Sequence, residues 1–552
     1  MIAGALLLFH TVRKLRLKQI IFRVYYLLVK PTIPVACANR LRCKISTWHE
    51  PQFRRPATED GFTFEFLNRS HSIDSDWNIP NLAKLWLYNL HYHDDLCSIN
   101  SSSRREVYSS MLDRWVLENP PLEGNGWEPY CISLRVVNWI KWFAREPRDS
   151  FTPRLQISLS LQADILIQRI EYHILGNHLL ANAKALVFLG VFFGGAAGEY
   201  FLSRGLKIID EELGEQFLPD GGHFELSPMY HAIVIWDLAD LINLSRLSGI
   251  ESLLERVVGW ESKLAAGIEW LEKMVHPDGG ISFFNDAAMG VAPSLKNLNE
   301  YLNMLEISVN STAQGSMHPT AYWLKSSGFI IFEWGDAQKC IVDVGHIGPD
   351  YQPGHAHADT LSFELSLFAK RIFVNSGVSE YASGIERRRQ RSTSAHNTVV
   401  VDGQDSSQVW SAFRVAKRAK PIRVALDESR AGRILLTAAH DGYVRLTENV
   451  VHERIFDAID GAILITDRLI GDSCSGEAHW HLHPDIQVCQ RDGAKLILQT
   501  ASGERIYLTF SDEKFVLKST TWHPSFGITI PTYKLVSEVN VKGSWLKIEW
   551  KF

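Results

Sequence analysis

Between about Asn81 and Leu305 apolar residues recur every three or four positions, as in Leu155, Leu159, Leu161, Ile165 and Ile167, and again in Ile233, Leu238, Leu241 and Leu244. That is the period of helices that bury one face. Turn-forming residues interrupt the run: Pro120 and Pro121 with Gly124 and Gly126, the pair Gly194-Gly195, and Pro-Asp-Gly-Gly at 219–222 and again at 277–280. Each Pro-Asp-Gly-Gly follows a helical stretch and precedes an aromatic-containing loop, which predicts a repeated array of helical hairpins. From about Tyr322 the pattern shortens to alternating runs such as Phe329 to Trp334, Leu361 to Leu367, Thr398 to Val401, Ile434 to Thr437 and Ile463 to Thr466. These predict antiparallel strands. Helices first and strands second argue for two domains in series rather than one alternating sheet. The expected division is a lead-in over 1–80, a helical domain over 81–315 and a β-sandwich over 316–552, with the boundary in the polar stretch from Ser311 to Pro319.

The lead-in has its own pattern. Ile2 to Phe9 is apolar, and Arg13, Lys14, Arg16 and Lys18 follow it. A secretory signal places its charge before the apolar run, so an amphipathic helix on the body or on a membrane surface is expected, with peripheral membrane association through this end. With 552 residues, 46% hydrophobic and 22% charged, the chain has the composition of folded globular structure. The net charge of -5, from 57 basic and 62 acidic side chains, provides no global field for nucleic acid, and no nucleic-acid partner is expected. An anionic ligand must therefore be met by a local cluster. The seven cysteines are scattered without a CxxC pair, which implies neither a disulfide framework nor a cysteine metal site. The 17 tryptophans supply core volume and flat surfaces on which sugar rings stack.

Three segments concentrate groups that carry chemistry. Asn177 and His178 open an apolar helix, where Asn177 alone reads as a cap. The stretch from Pro219 to His231 gathers Asp220, His223, Glu225, Tyr230 and His231 around one Gly/Pro-shaped turn; a turn with solvated polar residues is the equal alternative. His355 and His357 in Gly354-His355-Ala356-His357-Ala358-Asp359 face one way if the backbone is extended, and such a pair can bind a metal. Downstream, Asn375 and His396 offer a further oxygen and nitrogen. Between them runs Glu386-Arg387-Arg388-Arg389-Gln390-Arg391, either a solvated loop or a cluster suited to carboxylates or sulfates on a polymer.

Taken together, these segments resemble the heparinase II/III-like polysaccharide lyases, especially members found with bacterial exopolysaccharide genes. The resemblance is carried by Leu85 to His91, Trp127-Glu128-Pro129-Tyr130 with Arg135 and Asn138-Trp139, Asn177-His178, Ser227 to His231, His355 to Asp359 and Arg391 to Val399. It implies an incomplete (α/α) toroid followed by an antiparallel β-sandwich, with the active site in the cleft between them. It also implies β-elimination at O4 of a uronic acid in an anionic polysaccharide, in the cell envelope or periplasm. Asn177 would neutralise the uronate carboxylate, with Glu225 as a protonated neighbour, while Tyr230, His178 and His355 would act as catalytic acid and base. Glu225, His231, Arg388, Arg391 and Trp127 are the expected substrate contacts. His357, Asn375 and His396 match positions that hold a structural divalent metal, often zinc; many members carry Asp where this chain has Asn375, a weaker ligand. No organic cofactor is expected. Two other readings compete: a glycoside hydrolase using Asp220 and Glu225, and a non-catalytic polysaccharide-binding or assembly factor.

Overall fold

The computed structural model describes residues 2–35, 37–42, 47–147, 150–309, 316, 318–471 and 475–551. The helical periodicity of the first half is realised as α1 (Ile2–Val12), α2 (Leu17–Leu28), α3 (Lys84–Tyr92), α4 (Arg105–Glu118), α5 (Pro129–Arg145), α6 (Pro153–Gln168), α7 (Gly176–Phe192), α8 (Gly195–Gln216), α9 (Pro228–Ser248), α10 (Glu251–Met274) and α11 (Leu295–Met304). Prolines open α5, α6 and α9, where the missing N–H costs nothing. Thr152 and Ser227 cap the last two by accepting from Leu155 and Tyr230 N–H.

Helices α7 and α8 approach until backbone meets backbone. A Cβ on Gly190 would stand 2.4 Å from Leu202 N, and one on Gly205 would stand 2.8 Å from Val187 N. This close seam fixes α7, whose first turn carries Asn177 and His178. Gly205→Leu should therefore force the pair apart and lower stability by about 1–3 kcal/mol or more, read as a drop in the thermal unfolding midpoint.

The lead-in does more than the sequence pattern predicts. A hairpin of Thr63–Phe66 with Arg69–Ser72 lies within it, and Trp48, Phe64, Ile73 and Trp77 join the helical core. The predicted boundary between 311 and 319 falls mostly outside the described residues; α11 ends at Met304 and the first strand of the second half begins at Thr320.

In that second half the sheets are built from antiparallel strand pairs, with an isolated parallel bridge between Gly377 and His523. One five-stranded meander runs from Thr320–Leu324 to Lys370–Phe373. An eight-stranded sheet starts at Pro421–Arg430 and places Ser544–Trp550 beside Ala462–Ile470. A four-stranded sheet orders Val516–Trp522, Ile530–Val539, Gly476–His481 and Val399–Val401. Their inner faces share a core containing Phe332, Trp334, Phe363, Phe456, Trp480, Leu508 and Ile548.

The two Pro-Asp-Gly-Gly turns dock the halves together. Both have the same hydrogen bonds: Leu218 N–H to Gly222 and Phe224 N–H to Gln216 in one, His276 N–H to Gly280 and Ser282 N–H to Met274 in the other. In each, one aspartate oxygen accepts from its own turn, Gly222 or Gly280, while the other reaches the β domain. Asp220 Oδ2 accepts from Ser327 N–H at 2.7 Å, and Asp278 Oδ2 from Arg371 Nε at 2.7 Å. His276 adds Nε2 to Glu364 at 3.0 Å in the buried seam.

Candidate active site

The seam between the halves brings together loops distant in sequence. Asn285, in left-handed backbone (φ 56°), ties three of them. Its amide N–H2 donates to the carbonyls of Glu225 and Leu226, and its oxygen accepts from His357 N–H at 3.0 Å.

Next to it, Asp286 is the charge centre of the site. Fully buried, it accepts from His355 Nδ1 at 2.9 Å, from His357 Nε2 at 2.9 Å and from both terminal nitrogens of Arg387, one at 2.7 Å. Burial alone would favour the neutral acid, but Arg387 and the two imidazoles outweigh it and hold the carboxyl well below the usual carboxylate range. An ionised Asp286 only accepts, so His355 donates to it from Nδ1 and turns Nε2 away from it. Nε2 lies 3.7 Å from Glu225 Oε2.

Tyr230, in the first turn of α9, stacks on His355 with ring centroids 3.9 Å apart, and its hydroxyl lies 3.0 Å from that of Tyr381. Burial, then Tyr381 and Asp286, push the Tyr230 phenol well above its ordinary range, so it is a neutral hydroxyl. Phe413 stands edge-on to both His355 and Tyr381 at the exposed lip.

Across the site, α7 opens on two residues with positive φ, Leu175 at the N-cap (φ 71°) and Gly176 at the first helical position (φ 58°). The turn presents Asn177, whose side-chain oxygen has no hydrogen-bond partner, and His178. Burial disfavours a charged His178, but Glu171, 3.1 Å from its Nδ1, outweighs burial and raises its pKa. Glu171 is held by Asn182, which donates to Oε2 at 3.0 Å. Glu225 is buried with neither oxygen hydrogen-bonded at normal geometry, and burial raises its pKa against the opposing pull of His355, His178 and the Asn177 N–H. The site thus joins a neutral phenol, an oriented imidazole, an imidazole and a carboxyl whose pKa values are both raised, and an asparagine amide whose N–H2 can donate to an anion. That set suits binding a carboxylate and moving a proton beside it.

Several expected contacts lie elsewhere. His231 is fully buried; its Nδ1 accepts from His223 N–H, its Nε2 donates to Gly267, and no ring nitrogen is left for a substrate. Trp127 packs beside Trp115 in the helical core and donates to Asn119. The basic run is a helix, α12 (Ile385–Arg391), that turns two guanidinium groups inward. Arg391 donates to the carbonyls of Ala356, Ser411 and Ala412, which makes it a loop staple, and of the two expected arginines only Arg388 faces solvent.

The expected metal triad also changes. His357 Nδ1 and His396 Nε2 face each other at 3.0 Å, and Asp359 joins them with ligand atoms all within 4.8 Å. Asn375 instead turns its oxygen to Asn397 N–H, so Asp359, two residues beyond His357, provides the carboxylate that the sequence pattern assigned to position 375. The facing nitrogens have nothing to share. His357 donates from Nε2 to Asp286, and His396 donates from Nδ1 to the Ser392 carbonyl at 2.8 Å. Burial lowers the pKa of His357 to about 4 and lowers that of His396 as well, so two lone pairs confront one another. A second buried pair shows the satisfied alternative. There His440 Nδ1 accepts from Gly442, which frees Nε2–H for His452, which in turn donates to Asp467. The first pair has the donor chemistry of a divalent-cation site.

Sequence reasoning did not single out Asp286, Asn285, Glu171 or Tyr381. The signal for the first two was the repeated Pro-Asp-Gly-Gly turn, since the segment after the first copy holds Glu225 and Tyr230, and the segment after the second holds Asn285 and Asp286.

The sequence and fold comparisons converge on this architecture. The Heparinase II/III N-terminus family matches residues 61–310, and the Heparinase II/III-like C-terminal family matches residues 317–551. Heparin-sulfate lyases of Bacteroides stercoris and Pedobacter heparinus are 24% and 26% identical over 71% and 72% of this chain, and 59% and 63% of their own. The chain therefore spans about three-fifths of the length of these curated relatives. Among solved structures, heparinase III has a TM-score of 0.68 at 17% identity over 95% of this chain and 88% of its own. Heparan sulfate lyase HepC from Pedobacter heparinus has 0.58 at 18% over 92% and 85%. At such identity the likeness is one of fold, a helical toroid followed by a β domain. Because the two family matches cover most of the sequence, one on each side of the seam that holds Asp286, this chain belongs to the heparinase II/III-like family.

Proposed function

We propose that the chain is a polysaccharide lyase that cleaves a uronic-acid polymer by β-elimination. The observation that carries this reading is the stacked pair of Tyr230 and His355, set opposite a carboxylate-binding wall. In the proposed reaction the uronate carboxylate is held by Asn177, the charged His178 and the protonated Glu225, which offsets the enolate charge developing as C5 loses its proton. His355 Nε2, with its lone pair fixed by Asp286, takes that proton. The C5–H electron pair forms the C4–C5 double bond, the C4–O4 bond breaks, and the Tyr230 hydroxyl protonates the departing O4. Since the two rings stack, proton and leaving group are met from one side, as suits a uronate whose C5 hydrogen and O4 are syn, such as D-glucuronate.

Purified chain mixed with heparan, chondroitin, hyaluronan, alginate and bacterial exopolysaccharide should give rising near-ultraviolet absorbance with at least one of them, from the conjugated unsaturated uronate. New reducing ends without that rise would show hydrolysis instead. The hydrolase alternative has little support, because Asp220 spends its carboxylate on Gly222 and Ser327. Heparan-type substrates head the panel because the relatives are named heparin-sulfate lyases.

The charged state of His178 predicts a pH effect. Its pKa is raised by Glu171, and activity that needs the imidazolium falls as pH rises through that value. Glu171→Gln keeps a hydrogen-bond acceptor but removes the charge, so the alkaline limb of kcat/KM should move toward lower pH.

For the cation site, His357, His396 and Asp359 would hold a divalent ion such as zinc, which would order the loop carrying His355. Adding zinc should raise the thermal midpoint of the chain, and His396→Gln should remove that rise.

A further inference from the structure

The two N-terminal helices are built with their amphipathicity reversed. In α2 the face against the body holds Gln19, 1% exposed, and Tyr26, whose hydroxyl donates to the Ile170 carbonyl. Gln19 donates to the carbonyls of Ile174 and Tyr351. The outward face holds Leu17, Leu27 and Leu28, at 71%, 73% and 78% exposed, with Ile20, Ile21 and Val24 between them. Leu6, Leu8, Phe9 and Val12 extend it along α1, and Ile33 and Val35 continue it beyond α2. So many adjacent exposed aliphatic side chains imply a partner.

Charge identifies that partner. Residues 1–49 contain nine lysines and arginines and no aspartate or glutamate, in a chain whose net charge is -5. Lys14 and Arg16 pair with Asp350 and Glu215 and fasten the segment to the body. Arg13, Arg23 and Lys30 are exposed around the apolar face. Apolar side chains that enter an acyl layer, rimmed by cations that meet phosphate headgroups, are the chemistry of a helix lying in an anionic bilayer surface. Among the described residues no helix is long and apolar enough to cross a membrane, so the contact is interfacial.

We infer that α1 and α2 form a docking surface for an anionic lipid bilayer. The surface adjoins the site: Ile174 and Tyr351, which α2 grips, precede Asn177 and His355 by three and four residues. Thr11 on α1 donates to Val415 and accepts from Trp410, in the hairpin whose Ala412 carbonyl holds Arg387 and Arg391. The docked enzyme would work on polymer at the membrane surface. The inference does not depend on the reaction assigned above, since its test reads binding alone.

The test is flotation of the full chain with vesicles of phosphatidylcholine, alone or with roughly one-third phosphatidylglycerol. The expected result is co-flotation with anionic vesicles only, weakened when salt is raised to about 1 M, where the Debye length is about 3 Å. Leu27→Glu with Leu28→Glu should abolish it while leaving the far-ultraviolet circular dichroism and thermal midpoint unchanged, because neither side chain packs on the body. Arg23→Glu should weaken it about fivefold or more. No flotation with anionic vesicles, equal flotation with neutral ones, or dimerisation that the leucine replacements abolish would each overturn the inference.

Discussion

Tyr230→Phe should lower turnover about a thousandfold or more while leaving substrate affinity and thermal midpoint nearly unchanged. The hydroxyl is the only atom removed, and its partner is another hydroxyl, that of Tyr381, which sits at the edge of the same site. The ring remains stacked on His355, so the packing that Tyr230 provides survives. The near-ultraviolet assay and a binding measurement, run side by side, separate the two readings that compete. Loss of absorbance with retained binding places the hydroxyl in the chemical step. Unchanged absorbance would remove Tyr230 from the reaction and with it the proposed acid.

Asp286→Asn should be more damaging still, because it changes stability and chemistry together. Arg387 has no exposed surface, and its two terminal nitrogens are committed to this carboxylate. Leaving a buried guanidinium unpaired costs about 3–5 kcal/mol, so the thermal midpoint should fall by several degrees. The asparagine amide would also point a donor at groups that themselves donate, and His355 would lose the partner that fixes its tautomer. A second replacement, Arg387→Met, removes the stranded charge. The double variant should recover much of the lost stability and none of the activity. Recovery of both would show that Asp286 serves packing alone.

The residues explain why some of this was legible in the sequence and some was not. Period-3.6 and period-2 patterns report which face is buried, and so the order of helices and strands followed from them. Asn177-His178, Tyr230 and His355 stood out because rare polar types lay at helix starts and beside glycine, where side chains reach a cleft. Trp127, His231 and Arg391 had the right chemistry in the right segments, yet nothing in residue type says whether a side chain points outward or in. Each is buried in the folded chain. Asp286 failed in the opposite sense: a single aspartate after Phe283-Phe284-Asn285 has no local pattern, and its importance comes wholly from partners 69 to 101 residues further on. Glu171 precedes α7 by five positions and acts only because His178 turns back toward it. The Asn375 assignment came from a family pattern, whereas the carboxylate near the imidazoles comes from the local spacing of His357 and Asp359.

Asp286 lies between α10 and α11, in the helical half, whereas His355, His357 and Arg387 come from the β half. In the reaction proposed above, this division would make the two halves an interlock. Were they to part, the base would lose its orienting carboxylate in the same movement that admits solvent. A gaping cleft would then be a disarmed one, and proton abstraction would require the toroid and the sandwich to be closed on each other.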